Sequence, residues 1–182
     1  FCSGNAACVE NANCGSTDPA VNQARDAVAH MQWVSGPYLY ICTGGLVADT
    51  DTSSQVPYFL SANHCISRGK DARSLETFFQ FEAPCGTSGN CDDVIATRNN
   101  HPQSLRVLGA SIVHTARETD HTLFLLDEDA PTGSAFLGWN ANAVAFSSGT
   151  DLFRISHPGG APQAYSEHTV DASATTCTSC TP

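Results

Sequence analysis

The apolar positions of the chain fall into short runs that polar turns separate, a pattern typical of a β-rich fold. Loops rich in Gly, Ser, Asn and Asp lie between the runs, and few stretches have helical spacing. Many short strands with few amphipathic helices favour an all-β barrel or sandwich. The predicted strands cover residues 39–48, 56–60, 76–81, 105–114, 122–126, 143–146 and 152–155.

The N-terminal region lacks the short apolar runs of the rest of the chain. Residues 1–20 hold three Cys among small polar residues, which indicates an irregular arm held by disulfides. Val21, Ala24 and Val28 lie at roughly helical spacing, so a short helix within 19–31 and a strand beginning near Ala27 are equally consistent with the sequence. Residues 127–133 are the candidate linker between two lobes.

Length and charge narrow the class of protein. A chain of 182 residues and 19.2 kDa forms one domain or two small lobes. Eight Lys and Arg against 18 Asp and Glu disfavour a nucleic-acid partner. No apolar run approaches the roughly 20 residues that cross a bilayer, so we expect no membrane partner, and no motif predicts a cofactor. The first residue is Phe1 and the single Met is Met31, so we expect a chain processed from a precursor.

Nine Cys in 182 residues are characteristic of a secreted protein rather than one from a reducing cytosol. The number is odd, so in a disulfide framework one thiol has no partner within this chain.

His64 is the first candidate for chemistry. An apolar strand ends in Ala62-Asn63-His64-Cys65, and Cys42 lies at the end of the preceding strand. A Cys42–Cys65 disulfide would fix the backbone beside His64, as a general base requires. A His that merely follows a strand in a disulfide-rich protein is the alternative.

Asp120 is the second candidate, because it directly precedes the apolar strand 122–126. A buried carboxylate there would accept the Nδ1–H bond of a His, fixing its tautomer and stabilising the imidazolium. An Asp in this position is also a common turn residue.

Three segments together resemble one family. Residues 42–47 read Cys-Thr-Gly-Gly-Leu-Val, residues 59–65 read Phe-Leu-Ser-Ala-Asn-His-Cys, and residues 119–126 read Thr-Asp-His-Thr-Leu-Phe-Leu-Leu. They resemble the N-terminal part of chymotrypsin-fold (trypsin-like) serine endopeptidases, nearest to the bacterial lysyl endopeptidases. Gly138-Trp139 and His157-Pro158 match as well, whereas Asn63 stands where that family has a first His.

The resemblance implies a secreted serine endopeptidase with a chymotrypsin-like double β-barrel. Residues 1–130 would form the N-terminal arm and the complete first barrel, which carries His64 as general base and Asp120 as its orienting acid. Residues 131–182 would start a second barrel that this chain contains only in part. A polypeptide cut after Lys or Arg is the implied substrate.

The resemblance also implies disulfide partners. Cys14 would bond to Cys85, and Cys8 to a Cys in the second lobe or in another chain. The pairs Cys2–Cys91 and Cys177–Cys180 are hypotheses without a family counterpart. Cys177 and Cys180 could instead form half of a zinc site, but no second pair lies at ligand spacing, so we expect no metal.

The nucleophile of the triad is missing from this sequence. In the family the Ser lies in a Gly-x-Ser-Gly turn well downstream of the Asp, which corresponds to a position beyond Pro182. Ser88 and Ser148 have partly similar surroundings, but both are better explained as polar turns. We therefore expect the Ser in a cleaved partner chain or in a further segment, which the odd Cys also favours, and this chain alone to be inactive. A catalytically inactive, protease-like binding module is the alternative.

The remaining histidines have simpler explanations. His121 should point away from Asp120, because neighbouring strand residues face opposite sides. His114 is predicted to be a hydrogen-bonded strand residue, and His157 to shape the second lobe without a chemical step. A metal site at His114 and His121 is a further alternative.

Overall fold

The computed structural model describes residues 10–14, 18–51, 53–86, 105–142 and 147–173. This part contains two short α-helices, one 3-10 turn and ten strands. The helices are α1 (Pro19–Ala27) and α2 (Gly69–Ala72), and the 3-10 turn is Pro158–Gly160. The strands are β1 (Glu10–Asn11), β2 (Val28–Ser35), β3 (Tyr38–Leu46), β4 (Tyr58–Ser61), β5 (Glu76–Phe79), β6 (Arg106–Leu108), β7 (Ala110–Ala116), β8 (His121–Leu126), β9 (Asp151–Ser156) and β10 (Ala164–Thr169).

Seven strands form a curled antiparallel sheet in the order β6-β5-β2-β3-β4-β8-β7. Its inner face is apolar because alternate residues of each strand point to one side. Gly44 on β3 allows a close approach, since a Cβ there would collide with the Phe59 ring. The core of this sheet includes Met31, Leu46, Phe59, Phe79 and Phe124.

The second sheet has three antiparallel strands in the order β1-β10-β9, and helix α1 packs against it. Asp18 caps this helix by accepting a bond from the Ala20 N–H at 2.8 Å, and Pro19 occupies the first turn. The prediction of a short helix and the prediction of a strand beginning near Ala27 are therefore both correct in part, because the helix ends at Ala27 and β2 starts at Val28.

Buried polar contacts join the two sheets. The Gln163 side chain donates to the carbonyl of Arg25 at 2.9 Å and to that of Val28 at 3.0 Å. The His157 N–H donates to Thr43 Oγ1 at 2.9 Å. These contacts hold the segment between β9 and β10 against α1, β2 and β3.

The structure corrects several predicted boundaries. The run 105–114 is two strands, because Gly109 adopts a φ of +76° between β6 and β7. Strands β1 and β10 were not predicted, and the predicted strand 143–146 lies outside the described residues. No helix in the described part of the chain has the length and apolar character needed to cross a bilayer.

Candidate active site

Antiparallel pairing brings the two candidate catalytic residues to one edge of the curled sheet. Strands β4 and β8 pair with Ser61 opposite Thr122, so the end of β4 lies beside the start of β8. His64 lies in the turn that follows β4, and Asp120 directly precedes β8. Residues 56 positions apart in the chain are thereby neighbours.

Two hydrogen bonds join His64 to Asp120. His64 Nδ1 lies 2.7 Å from Asp120 Oδ2, and the His64 backbone N–H donates to Oδ1 at 2.9 Å. An ionised carboxylate only accepts hydrogen bonds, so the imidazole proton lies on Nδ1. Nε2 of the neutral ring then carries the lone pair, which is the tautomer that a general base needs.

Local backbone geometry orients the Asp120 carboxylate. Asp120 has a φ of +48°, in the left-handed region that Asp tolerates better than most residues. Its N–H donates to the Arg117 carbonyl at 3.2 Å, closing the turn between β7 and β8. The turn therefore sets the direction from which the carboxylate reaches His64.

Hydrogen bonding outweighs burial in setting the pKa of Asp120. The backbone N–H of His64, followed by its side chain, lowers the pKa of Asp120 below the ordinary value of 3.8. The Asp120 side chain is 52% exposed and that of His64 is 72% exposed. The carboxylate accepts its bonds from His64 without the burial that a position before an apolar strand allows, because it lies on a turn at the rim of the sheet.

A chain of hydrogen bonds anchors the His64 turn on its inner side. Asn63 Nδ2 donates to Thr115 Oγ1 at 2.7 Å, and the hydroxyls of Thr115 and Thr122 lie 2.7 Å apart. Thr122 Oγ1, which is fully buried, donates to the Ile66 carbonyl at 2.7 Å. The residues on either side of His64 are therefore fixed to β7 and β8. Sequence reasoning missed this role of Thr115 and Thr122, whose only signal was a polar residue within an apolar strand.

Two disulfides lie in the described part of the chain, and one of them fixes the backbone beside His64. The structure contains both pairs that were predicted within the described residues, Cys42–Cys65 beside His64 and Cys14–Cys85. The two sulfurs of Cys42 and Cys65 lie with a His64 ring nitrogen inside 4.8 Å of one another. This group does not form a metal centre, because the disulfide uses both thiolates.

The structure places the other candidates away from the Asp120 carboxylate. His121 bonds to His114 and Thr119 and, as strand alternation predicted, is not the imidazole that Asp120 contacts. His157 is buried, and its Nδ1 bonds to the Ala161 carbonyl at 2.9 Å. Ser148 lies in a turn, and its Oγ accepts a bond from the Ala172 N–H at 2.9 Å. Ser88, Cys2, Cys8, Cys91, Cys177 and Cys180 lie outside the described residues.

One solved structure shows the class of fold, and a second is reported for comparison. A thermostable serine protease, AL20, from an extremophilic microorganism superposes with a TM-score of 0.53 at 10% identity, over 81% of this chain and 67% of that one. A structure described as GrC gives a TM-score of 0.47 at 19% identity, over 81% of this chain and 60% of that one. The chain thus spans about two thirds or less of the length of these proteins. Its fold is a chymotrypsin-like double β-barrel with a partial second barrel.

The family follows from the sequence as a whole. A family model described as "Lysyl endopeptidase, C-terminal domain" matches residues 3–181. The chain therefore belongs to the lysyl endopeptidase family, a family of proteases, and both the predicted family and the predicted fold class are confirmed. A search of curated proteins found no match.

Proposed function

We propose that this chain supplies the His and the Asp of the Ser-His-Asp triad of a secreted serine endopeptidase. The observation that carries the proposal is the double contact of His64 with Asp120, at 2.7 Å through the ring and 2.9 Å through the backbone. This contact fixes both the tautomer and the orientation of the imidazole. A structural His on the surface needs neither.

In the proposed reaction His64 Nε2 accepts the proton of a Ser hydroxyl as that oxygen attacks the peptide carbonyl. Asp120 remains ionised and stabilises the imidazolium through the Nδ1–H bond. His64 then gives the proton to the leaving amine, which leaves an acyl-enzyme. Water repeats the sequence, with His64 first as base and then as acid, and restores the free Ser.

The nucleophile comes, in this proposal, from residues outside this sequence. Among the described residues, no Ser or Thr hydroxyl bonds to His64, whose hydrogen-bond partner is Asp120. We propose a further segment or a cleaved partner chain that carries the Ser and a Cys for Cys8. Such a segment would also cover the exposed rim where the two side chains lie. The 182 residues alone would be inactive.

The substrate class follows from the family. We propose a polypeptide cut after Lys or Arg, since the lysyl endopeptidase family gives the expectation and a net charge of -10 attracts basic chains. The disulfides support an extracellular location. Nucleic acid, membrane, metal and cofactor have no role in the proposed reaction.

The test compares His64→Ala with His168→Ala in the full-length protein that contains this chain, using fluorogenic Lys and Arg peptides. We expect His64→Ala to lower kcat by about 10⁴-fold or more. His168→Ala is the matched control, because this exposed His bonds to Ser166 on the second sheet. Full activity in His64→Ala would exclude the proposed triad. An inactive wild-type protein that still binds peptides would favour the binding module instead.

Mass measurements test the location of the nucleophile. Native material under reducing and non-reducing conditions should show a Ser-containing segment, either continuous with this chain or linked to it through Cys8. A 19.2 kDa species with one free thiol and no further polypeptide would contradict this part of the proposal.

A further inference from the structure

A second pair of side chains at the β7–β8 end has no role in the proposed reaction. His114 and His121 lie on the outer face of the sheet, on two paired strands. Their rings stack with centroids 5.1 Å apart, and His114 Nδ1 lies 3.0 Å from His121 Nε2. His114 is exposed and His121 half-buried, so solvent reaches the pair.

We propose that His114 and His121 form a binding site for a divalent transition-metal ion. Metal–nitrogen bonds of about 2.0–2.1 Å that meet at about 90–110° separate two ligand nitrogens by about 2.9–3.4 Å. The nitrogens of this pair already lie within that range. Imidazole is the side chain that Zn²⁺, Cu²⁺ and Ni²⁺ share as a preferred ligand.

Strand register explains why the two rings meet. Ala116 pairs with His121, and His114 pairs with Leu123, so the two His are diagonal neighbours on one face. Diagonal residues of an antiparallel pair lie within reach of long side chains. The register shift between Ile112 and His114 sets which face of the edge strand β7 carries the ring.

Metal binding to this pair of neutral imidazoles releases no proton to solvent. The metal-free pair shares one N–H between the two facing nitrogens, and both must offer lone pairs to an ion. His121 then keeps its proton on Nδ1, which lies 2.8 Å from Thr119 Oγ1 and donates to it. His114 keeps its proton on Nε2, toward solvent. Metal-bound His residues usually have such a partner for their second nitrogen.

The site would be open rather than closed. Among the described residues, the one grouping of three or more potential protein ligands is at Cys42, His64 and Cys65, so no third ligand joins the His pair. Asp120, between Thr119 and His121, bonds to His64 instead. Water molecules would complete the coordination.

The experiment is a calorimetric titration of the full-length protein with ZnCl₂ in a non-chelating buffer near neutral pH. We expect saturable binding that His114→Ala and His121→Ala each abolish. His168→Ala and His64→Ala should retain it, which separates this site from the candidate active site. Thr119→Val should weaken binding by about tenfold or more, because His121 Nδ1 loses its partner.

Nitrogen shifts of the imidazole rings identify the ligands directly. Zinc should move the signals of His114 Nδ1 and His121 Nε2, with circular dichroism showing that each variant is folded. Absence of saturable binding to the wild-type protein would overturn the proposal. So would binding that survives both His114→Ala and His121→Ala, which would place the ion elsewhere, for example at Cys177 and Cys180.

Discussion

Two pairs of side chains at the β7–β8 end make similar hydrogen bonds to different partners. His64 meets a carboxylate at 2.7 Å, whereas His114 meets a second imidazole at 3.0 Å. The carboxylate accepts the His64 Nδ1–H bond and thereby fixes the proton of the neutral ring on that nitrogen. A second neutral imidazole supplies no charge and can move its proton to the other nitrogen. We therefore propose that the partner of the imidazole, more than the imidazole itself, decides whether a His serves as a base or as a ligand.

The largest expected effect comes from removing the charge that distinguishes the two pairs. Asp120→Asn keeps the side-chain shape but replaces the ionised carboxylate with an amide. We expect kcat on peptide substrates to fall by about 10⁴-fold, because the neutral amide no longer fixes the tautomer or stabilises the imidazolium. Asp129→Asn, also at an exposed Asp, is the control and should leave kcat unchanged. A small loss in Asp120→Asn would mean that Asp120 does not orient the base.

The second-largest effect is expected at Thr122, whose buried hydroxyl links β8 to the chain just after His64. We call this hydrogen bond the anchor. Thr122→Val preserves volume but removes the hydroxyl that bonds to the Ile66 carbonyl. An unpaired buried carbonyl should lower the free energy of unfolding by about 1–3 kcal/mol in urea denaturation. Thr122→Ser should restore much of it, because Ser keeps the hydroxyl.

The same variant has a second, local readout. Loss of the anchor should weaken the His64 Nδ1–H signal in NMR spectra while the His114 and His121 signals stay in place. Equal changes at both pairs would show that Thr122 supports the whole sheet rather than the His64 turn.

Sequence reasoning selected His64 and Asp120 because the first follows an apolar strand and the second precedes one. His64 and Asp120 were recognisable from the runs around them and from the family resemblance. The contact between the turns depends on the pairing of β4 with β8, a long-range choice that no local pattern encodes. The left-handed backbone of Asp120 and its exposure depend on that packing as well.

The fold was predictable to a similar extent. Alternating apolar runs predicted most strands of the curled sheet, since one face of each strand is buried. Strand β10 was missed because its burial comes from packing against α1 and β9 rather than from a clear alternation in its sequence. The diagonal contact of His114 with His121 was open to prediction as an alternative, but its distance required the register shift in β7.

A pH titration measures the pKa of Asp120, the carboxylate that distinguishes the His64 pair from the His114 pair. The pKa of Asp120 is lowered, first by the backbone N–H of His64 and then by its ring. The contribution of Asp120 to stability is thus present above its unfolded pKa, near 3.8, and is lost as the pH falls through the lower folded pKa. Carbon shifts of the Asp120 carboxylate should give a pKa below the ordinary value of 3.8, and a value at or above 3.8 would contradict the role of the His64 bonds.

The His64→Ala variant separates the two contributions to the lowered pKa of Asp120, that of the His64 ring and that of its backbone N–H. It removes the ring but keeps the backbone N–H, so the pKa of Asp120 should rise only part of the way to 3.8. A complete return to the ordinary value would show that the ring alone lowers it.

The smallest expected effect is at Asn63, which lies at the solvent end of the chain of hydrogen bonds that includes Thr115 and Thr122. Asn63→Ala removes the bond to Thr115 Oγ1 at 2.7 Å but leaves the buried bond of Thr122 in place. Because Asn63 is half-buried and water can replace its amide, the loss in unfolding free energy should be about 0.5–1.5 kcal/mol, smaller than for Thr122→Val. Urea denaturation of both single variants and the double variant gives the coupling between the two positions. Strictly additive losses would show two independent contacts, whereas a shared chain of hydrogen bonds predicts that the double variant loses less than the sum.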